Sequence, residues 1–106
     1  MKWKIIYAIE AETDIDNIYD YIVSTWKDFN AAKNLARKII TAADSLEQLP
    51  LRHQIWNEEP WQSRGIRYFP VENYIIFYMA DEKKCVVDIL RIIYGGQDLS
   101  KQKLEQ

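Results

Sequence analysis

Apolar residues follow two different periods along the chain, and the change of period separates predicted helices from predicted strands. Near the N-terminus, Trp3, Ile5 and Tyr7 occupy alternate positions, which is typical of a strand with one buried face. From about Ala11 to Trp26, apolar residues instead recur at steps of three and four, as in an amphipathic helix. The residues with this spacing are Ile15, Ile18, Ile22 and Trp26.

A second helical pattern follows after a short connection. Asn30 is expected to cap this helix, and Pro50 is expected to end it. Because the connection over residues 27–30 is short, the two helices are predicted to be antiparallel neighbours. The apolar stripe of the second helix contains Leu35, Ile39, Leu46 and Leu49, with Ala32, Ala36 and Ala43 between them.

Three runs rich in β-branched and aromatic residues lie between residues 64 and 98. Polar turns at residues 72–73 and 81–84 separate these runs, which predicts a three-stranded antiparallel meander. The strand that begins at Tyr74 is apolar on both faces and is expected in the centre of the sheet. The whole pattern predicts one α+β domain over residues 1–106, in which an N-terminal strand and a helical hairpin precede the meander. The helices are expected on one face of the sheet.

Residues 51–62 have a mixed, polar composition and are predicted to form an ordered but irregular loop. Trp56 and Trp61 are expected to attach this loop to the sheet by burying their indoles, and an aromatic binding site is the alternative. With helices on one face only, the opposite face is expected to be partly open and suited to a macromolecular partner. The candidates on that face are Tyr68, Tyr74, Tyr78, Tyr94, Arg67 and Arg91, which could otherwise be core rings and solvated surface arginines.

Charge and composition mainly exclude classes of protein. The formal net charge of −2 argues against a broad basic surface for nucleic acid. Cys85 is the only cysteine, which rules out an internal disulfide, and it is expected to be a small buried hydrophobe in a strand. No Cys/His spacing suggests a metal site, and no cofactor is expected. His53, the only histidine, is expected to be solvated, with a catalytic base as the alternative.

The chain carries no sequence signal for a membrane or for secretion. No apolar run approaches the roughly 20 residues that a membrane-spanning helix needs. The N-terminal residues 1–4 also lack the apolar core of a secretion signal. A cytoplasmic location without membrane contact is therefore expected.

Three segments carry a resemblance to a known family. Residues 64–67 read Arg-Gly-Ile-Arg, residues 73–78 read Asn-Tyr-Ile-Ile-Phe-Tyr, and residues 91–98 read Arg-Ile-Ile-Tyr-Gly-Gly-Gln-Asp. In this order of elements they resemble the RelE/ParE superfamily of bacterial toxins, over nearly the whole chain. The resemblance implies the toxin of a type II toxin–antitoxin system, neutralised by a cognate antitoxin within a hetero-oligomer. The antitoxin is expected to fold along the helical hairpin and the sheet edge.

The resemblance also implies one of two cellular targets. RelE-like members cleave messenger RNA on the ribosome with arginines, lysines and a late tyrosine, whereas ParE-like members poison DNA gyrase. Ile75 and Gln97 stand where the RNA-cleaving members carry arginine, and no tyrosine follows Tyr94. A ParE-like toxin without catalysis of its own is therefore expected, and a RelE-like, metal-independent endoribonuclease is the alternative.

Five residues are candidates for contact with the target. On the ParE-like hypothesis, the binding residues implied by the resemblance are Arg64, Arg67, Arg91, Tyr94 and Gln97. On the RelE-like alternative, the three arginines are the catalytic candidates, because guanidinium groups can stabilise the charge that develops on a phosphate.

Overall fold

The helices and strands occur in the order that the sequence predicts. The computed structural model describes residues 2–96. Its elements are β1 (Lys4–Tyr7), α1 (Ile9–Trp26), α2 (Phe29–Asp44), two 3₁₀ turns (Ser45–Glu47 and Pro50–Arg52), β2 (Arg67–Val71), β3 (Tyr74–Asp81) and β4 (Val86–Tyr94). The predicted α+β fold is confirmed.

The four strands form one mixed sheet in the order β1-β4-β3-β2. β2, β3 and β4 make the predicted antiparallel meander. β1 lies parallel to β4, with Lys4 opposite Val86 and Tyr7 opposite Ile89. β3 and β4 occupy the centre of the sheet, as the apolar character of both faces of β3 predicts. No helix within residues 2–96 is long and apolar enough to cross a membrane.

The boundaries of the second helix differ from the prediction. Its N-cap is Asp28 and not Asn30, since Asp28 Oδ1 accepts the Ala31 N–H at 2.9 Å. The helix ends at Asp44, well before Pro50, because the chain tightens into a 3₁₀ turn that still buries Leu46. Leu49 is therefore not part of the apolar stripe. It lies outside the helix with its side chain in solvent.

The helical hairpin packs on one face of the sheet and forms the larger part of the core. Ile39, Ala43 and Leu46 are fully buried there against residues of the central strands. The Tyr7 hydroxyl also donates to the Asp44 carboxylate at 2.8 Å, which joins β1 to the end of α2. Together the helices shield this face from water.

The opposite face is not open at its centre, which corrects the expectation from the sequence. The segment ahead of β2 folds over it, and Trp61 and Ile66 are buried there together with Phe77 and Ile93. The centroid of the Phe77 ring lies 4.7 Å from that of the Trp61 ring and 5.4 Å from that of the Trp56 ring. The prediction that the two tryptophans attach the loop is confirmed, because the indoles supply apolar surface that the helices cannot reach.

For Tyr78 the alternative of a core ring is confirmed, and the expectation for Cys85 is wrong. Tyr78 is fully buried on the helical face and is not exposed on an open surface. Cys85 lies in the turn before β4, at a φ of 54°, and is only partly buried. A strand pattern misplaces it because the β3–β4 turn extends one residue further than its charged residues suggest.

Candidate functional site

The four candidate residues that lie within residues 2–96 do not come together in one site. Arg91 and Tyr94 lie in β4 and line a groove beside the helical hairpin. Arg67 begins β2, and Arg64 lies in the turn before it, and neither residue lines this groove. Gln97 lies outside the described residues.

The groove runs between the helical hairpin and the end of the sheet where β3 begins and β4 ends. Its cavity volume is about 950 Å³. Apolar and aromatic side chains of α1 line it, and Tyr21 and Trp26 remain largely exposed there. Three amide side chains and one exposed ion pair add polar groups, namely Asn17, Asn34, Asn73 and the Lys38–Glu72 pair.

Two tyrosine rings form the sheet end of the groove. The Tyr74 and Tyr94 rings meet edge to face with their centroids 5.7 Å apart. Burial, with smaller effects from Tyr21 and Tyr94, raises the pKa of Tyr74 above its usual value of 10. The Tyr74 phenol therefore stays protonated near neutral pH and can serve as a hydrogen-bond partner, but not as a base.

Arg91 is held by a carboxylate of α1. Its Nε and Nη2 donate to Asp14 at 2.7 and 3.0 Å, and the Ile92 N–H donates to Asp14 Oδ2 at 2.8 Å. This contact sits at a β-bulge, because Phe77 pairs with Arg91 and Tyr78 with Ile89, which leaves Leu90 as the extra residue. The two charged side chains are only 20% and 13% exposed. Arg91 is thus not on an open sheet face, and its charge is neutralised within the fold.

The Arg67 side chain also binds groups within the protein. Its Nη1 donates to the carbonyl of His53 at 2.6 Å and to that of Leu51 at 3.3 Å. Arg64 is half-buried and makes no hydrogen bond or ion pair with residues 2–96. Within the same part of the chain, no group of three acidic, histidine or cysteine side chains could hold a metal ion.

His53 is not solvated, contrary to expectation. Its ring stacks on Phe69 with centroids 4.2 Å apart and planes at 8°, and its buried Nε2 has no hydrogen-bond partner among the described residues. Burial, followed by the nearby charge of Arg52, lowers the pKa of His53. A base must reach the proton that it removes, and this nitrogen faces the protein interior. The geometry therefore disfavours Nε2 of His53 as a catalytic base, although the residue as a whole is only half-buried.

The contact between Asp14 and β4 is not predicted from the sequence, although a sequence signal for a partner of Asp14 exists. Asp14 precedes Ile18 by four residues, so the two side chains share one helix face. Ile18 belongs to the buried stripe, and a carboxylate on that face requires a partner. The three amides of the groove gave no comparable signal, since asparagine is common on exposed helix surfaces and in turns.

The Asp14 contact leads to a prediction about stability. Asp14→Asn keeps the shape of the side chain but leaves Arg91 without its counter-charge. We expect the free energy of unfolding to fall by about 1.5–3 kcal/mol, the usual effect of losing a charged hydrogen bond. Urea denaturation followed by circular dichroism measures this loss. Glu72→Gln, which breaks the exposed Lys38–Glu72 pair, is the matched control and should change stability by less than about 0.5 kcal/mol. Equal losses in the two variants would contradict the assignment.

The environment of His53 leads to a prediction about pH. Since its pKa in the folded state lies below the usual 6.5, the unfolded chain binds more protons as the pH falls below 6.5. Stability conferred by the neutral ring is thus complete above pH 6.5 and is lost as the pH falls toward the folded-state pKa. We expect the urea midpoint of the wild type to drop between pH 7.5 and pH 5. His53→Gln should show a smaller drop, and an identical drop would refute the argument.

One sequence-family model matches most of the chain. A sequence model described as the ParE toxin of the type II toxin–antitoxin system parDE matches residues 5–99. The fold is similar to a solved chain of the chromosomal ParDE toxin–antitoxin system from P. aeruginosa, with a TM-score of 0.71 and 21% identity. That match covers 88% of this chain and 96% of the other.

A second solved structure has the same fold. It is the toxin–antitoxin complex RelBE2 from Mycobacterium tuberculosis, with a TM-score of 0.65 and 18% identity, and the match covers 89% of this chain and 92% of that one. At such identities the two structures establish the shared fold only. No curated protein is similar enough in sequence to count as a match.

Proposed function

This chain belongs to the ParE toxin family of type II toxin–antitoxin systems, and we propose that it arrests growth by binding DNA gyrase and trapping that enzyme on cleaved DNA. It is the toxin of its system, and its action on gyrase would be that of a binding protein without catalysis of its own. The engagement of the arginines is the observation that carries this proposal. Asp14 neutralises Arg91 and Arg67 binds backbone carbonyls, so two of the three candidate guanidiniums are engaged within the protein, and only Arg64 has no such partner within residues 2–96.

The groove beside the helical hairpin is the proposed site for the antitoxin. Its walls combine apolar side chains of both helices with the Tyr74 and Tyr94 rings, and it is open along its length. An amphipathic segment that folds on binding can bury an apolar face in such a groove and leave its polar face in water. The asparagine amides can bond to the ends of that segment or to its polar side chains. The similar ParDE and RelBE2 structures are themselves described as toxin–antitoxin systems or complexes, which supports a cognate antitoxin as the partner.

A cleavage assay with purified gyrase tests the proposed target. Supercoiled plasmid, ATP and gyrase are incubated with the toxin, and covalent complexes are trapped with detergent. We expect linear DNA to accumulate with increasing toxin, and excess antitoxin should prevent this. Codon-phased cuts in ribosome-bound messenger RNA, with gyrase unaffected, would instead establish the RelE-like endoribonuclease.

The groove assignment predicts which exposed aromatic residue binds the antitoxin. Trp26 lines the groove and is 67% exposed, whereas Phe29 is 64% exposed but does not line it. Because both side chains are already in water, Trp26→Ser and Phe29→Ser should leave folding intact. We expect Trp26→Ser to weaken the complex at least tenfold and Phe29→Ser to have little effect.

Isothermal titration calorimetry with the protein encoded by the adjacent reading frame measures these affinities. Equal weakening by the two substitutions would place the antitoxin elsewhere, and circular dichroism checks that both variants remain folded.

A further inference from the structure

The segment over residues 48–55, which we call the presented segment, follows α2, and most of its carbonyl groups accept hydrogen bonds from other protein groups. The Arg52 guanidinium donates to the carbonyls of Gln48 and Leu49 and to the Ser45 hydroxyl. Further along, the Pro50 carbonyl accepts a hydrogen bond from Tyr78 Oη, and the Leu51 and His53 carbonyls both accept from Arg67 Nη1. The Gln54 carbonyl accepts from the Tyr68 N–H. A segment held at so many points has a defined shape.

Three aliphatic side chains of this segment are exposed, although the His53 ring packs inward on Phe69. Leu49 is 76% exposed, and Leu51 and Ile55 are also exposed, while Pro50 is buried beneath them. Leu49 in addition has a φ of 50°, in the left-handed region where leucine is rarely found and asparagine or glycine is tolerated. Neither burial nor backbone geometry therefore favours a leucine at this position, so the folded state itself provides no reason for it.

The presented segment lies away from the groove. Arg67, which binds its carbonyls, is the first residue of β2, and Val71 is the last. Glu72 and Asn73, which follow Val71, line the groove. The two ends of β2 are about 13 Å apart at 3.3 Å per residue. Leu49 and Ile55 are therefore not part of the groove lining.

We propose that the presented segment docks the cellular target, and that this target is a protein with an apolar pocket bordered by carboxylates. Three aliphatic side chains can fill such a pocket, and their rigid backbone lowers the entropy lost on binding. Arg52 lies among them as an exposed cation, and a bordering carboxylate complements its charge. RNA is a poor fit, because aliphatic side chains do not stack on bases. The identity of the target as gyrase rests on the proposed function.

Leu49→Asn tests the proposal, because it removes the apolar group and suits the left-handed backbone. Its thermal midpoint should equal or exceed that of the wild type. We expect at least a tenfold increase in the toxin concentration needed for gyrase-mediated DNA cleavage, and a matching loss of growth arrest when the toxin is expressed without antitoxin. Ile55→Thr, which keeps a β-branched residue, should act in the same direction. Ile9→Asn is the matched control, since Ile9 is also 76% exposed but lies at the start of α1.

The outcomes separate this proposal from the proposed function. If the wild type cleaves DNA through gyrase and Leu49→Asn does so equally well, the docking surface is wrong and the gyrase function stands. If wild-type toxin has no effect on gyrase, the proposed function fails, and the growth assay still decides the surface. The proposal is overturned if the folded Leu49→Asn variant arrests growth as strongly as the wild type. It is also overturned if Leu49→Asn and Ile9→Asn lose toxicity to the same extent. Binding of a single-stranded RNA oligonucleotide by the wild type but not by Leu49→Asn would also overturn it.

Discussion

The contact of the Asp14 carboxylate with β4 is the interaction on which the arrangement of the functional surfaces depends. One carboxylate accepts from the Arg91 guanidinium and from the Ile92 N–H, and so joins the first helix to the last described strand. The β-bulge at Leu90 makes this geometry accessible, because the extra residue turns the strand toward α1. The contact therefore determines how far the helical hairpin stands from the sheet end, where the groove opens.

Both faces of the sheet are covered, but by different means. The helices bury one face with aliphatic side chains, whereas the irregular segment before β2 covers the other with Trp56, Trp61 and Ile66. Such a segment can cover a sheet because an indole buries a large apolar area for each residue of chain. The surfaces that we propose for partners are consequently the groove at one end of the sheet and the presented segment.

The arginines have mainly a structural role here. Arg52 and Arg67 bind backbone carbonyls that no helix or strand satisfies, and Tyr78 does the same from the core, where burial raises its pKa to about 12 and keeps the hydroxyl protonated. This use of guanidinium groups gives an irregular segment a fixed shape. A fixed shape is consistent with a toxin that acts by binding another protein. A binding surface must be complementary in shape to its partner, but it does not need to transfer protons.

The sequence by itself determined the elements, their order, the central position of β3 and the family, because each depends on local periodicity or on short motifs. It also identified the tryptophans as the attachment of the loop. Only the tertiary structure decided where Arg91 points and where α2 ends. Asp14 and Arg91 are separated by 77 positions along the chain, and a bulge alters the alternation of side chains between them. A local pattern records which residues prefer burial, but the partner of a charged group depends on which elements the fold brings together.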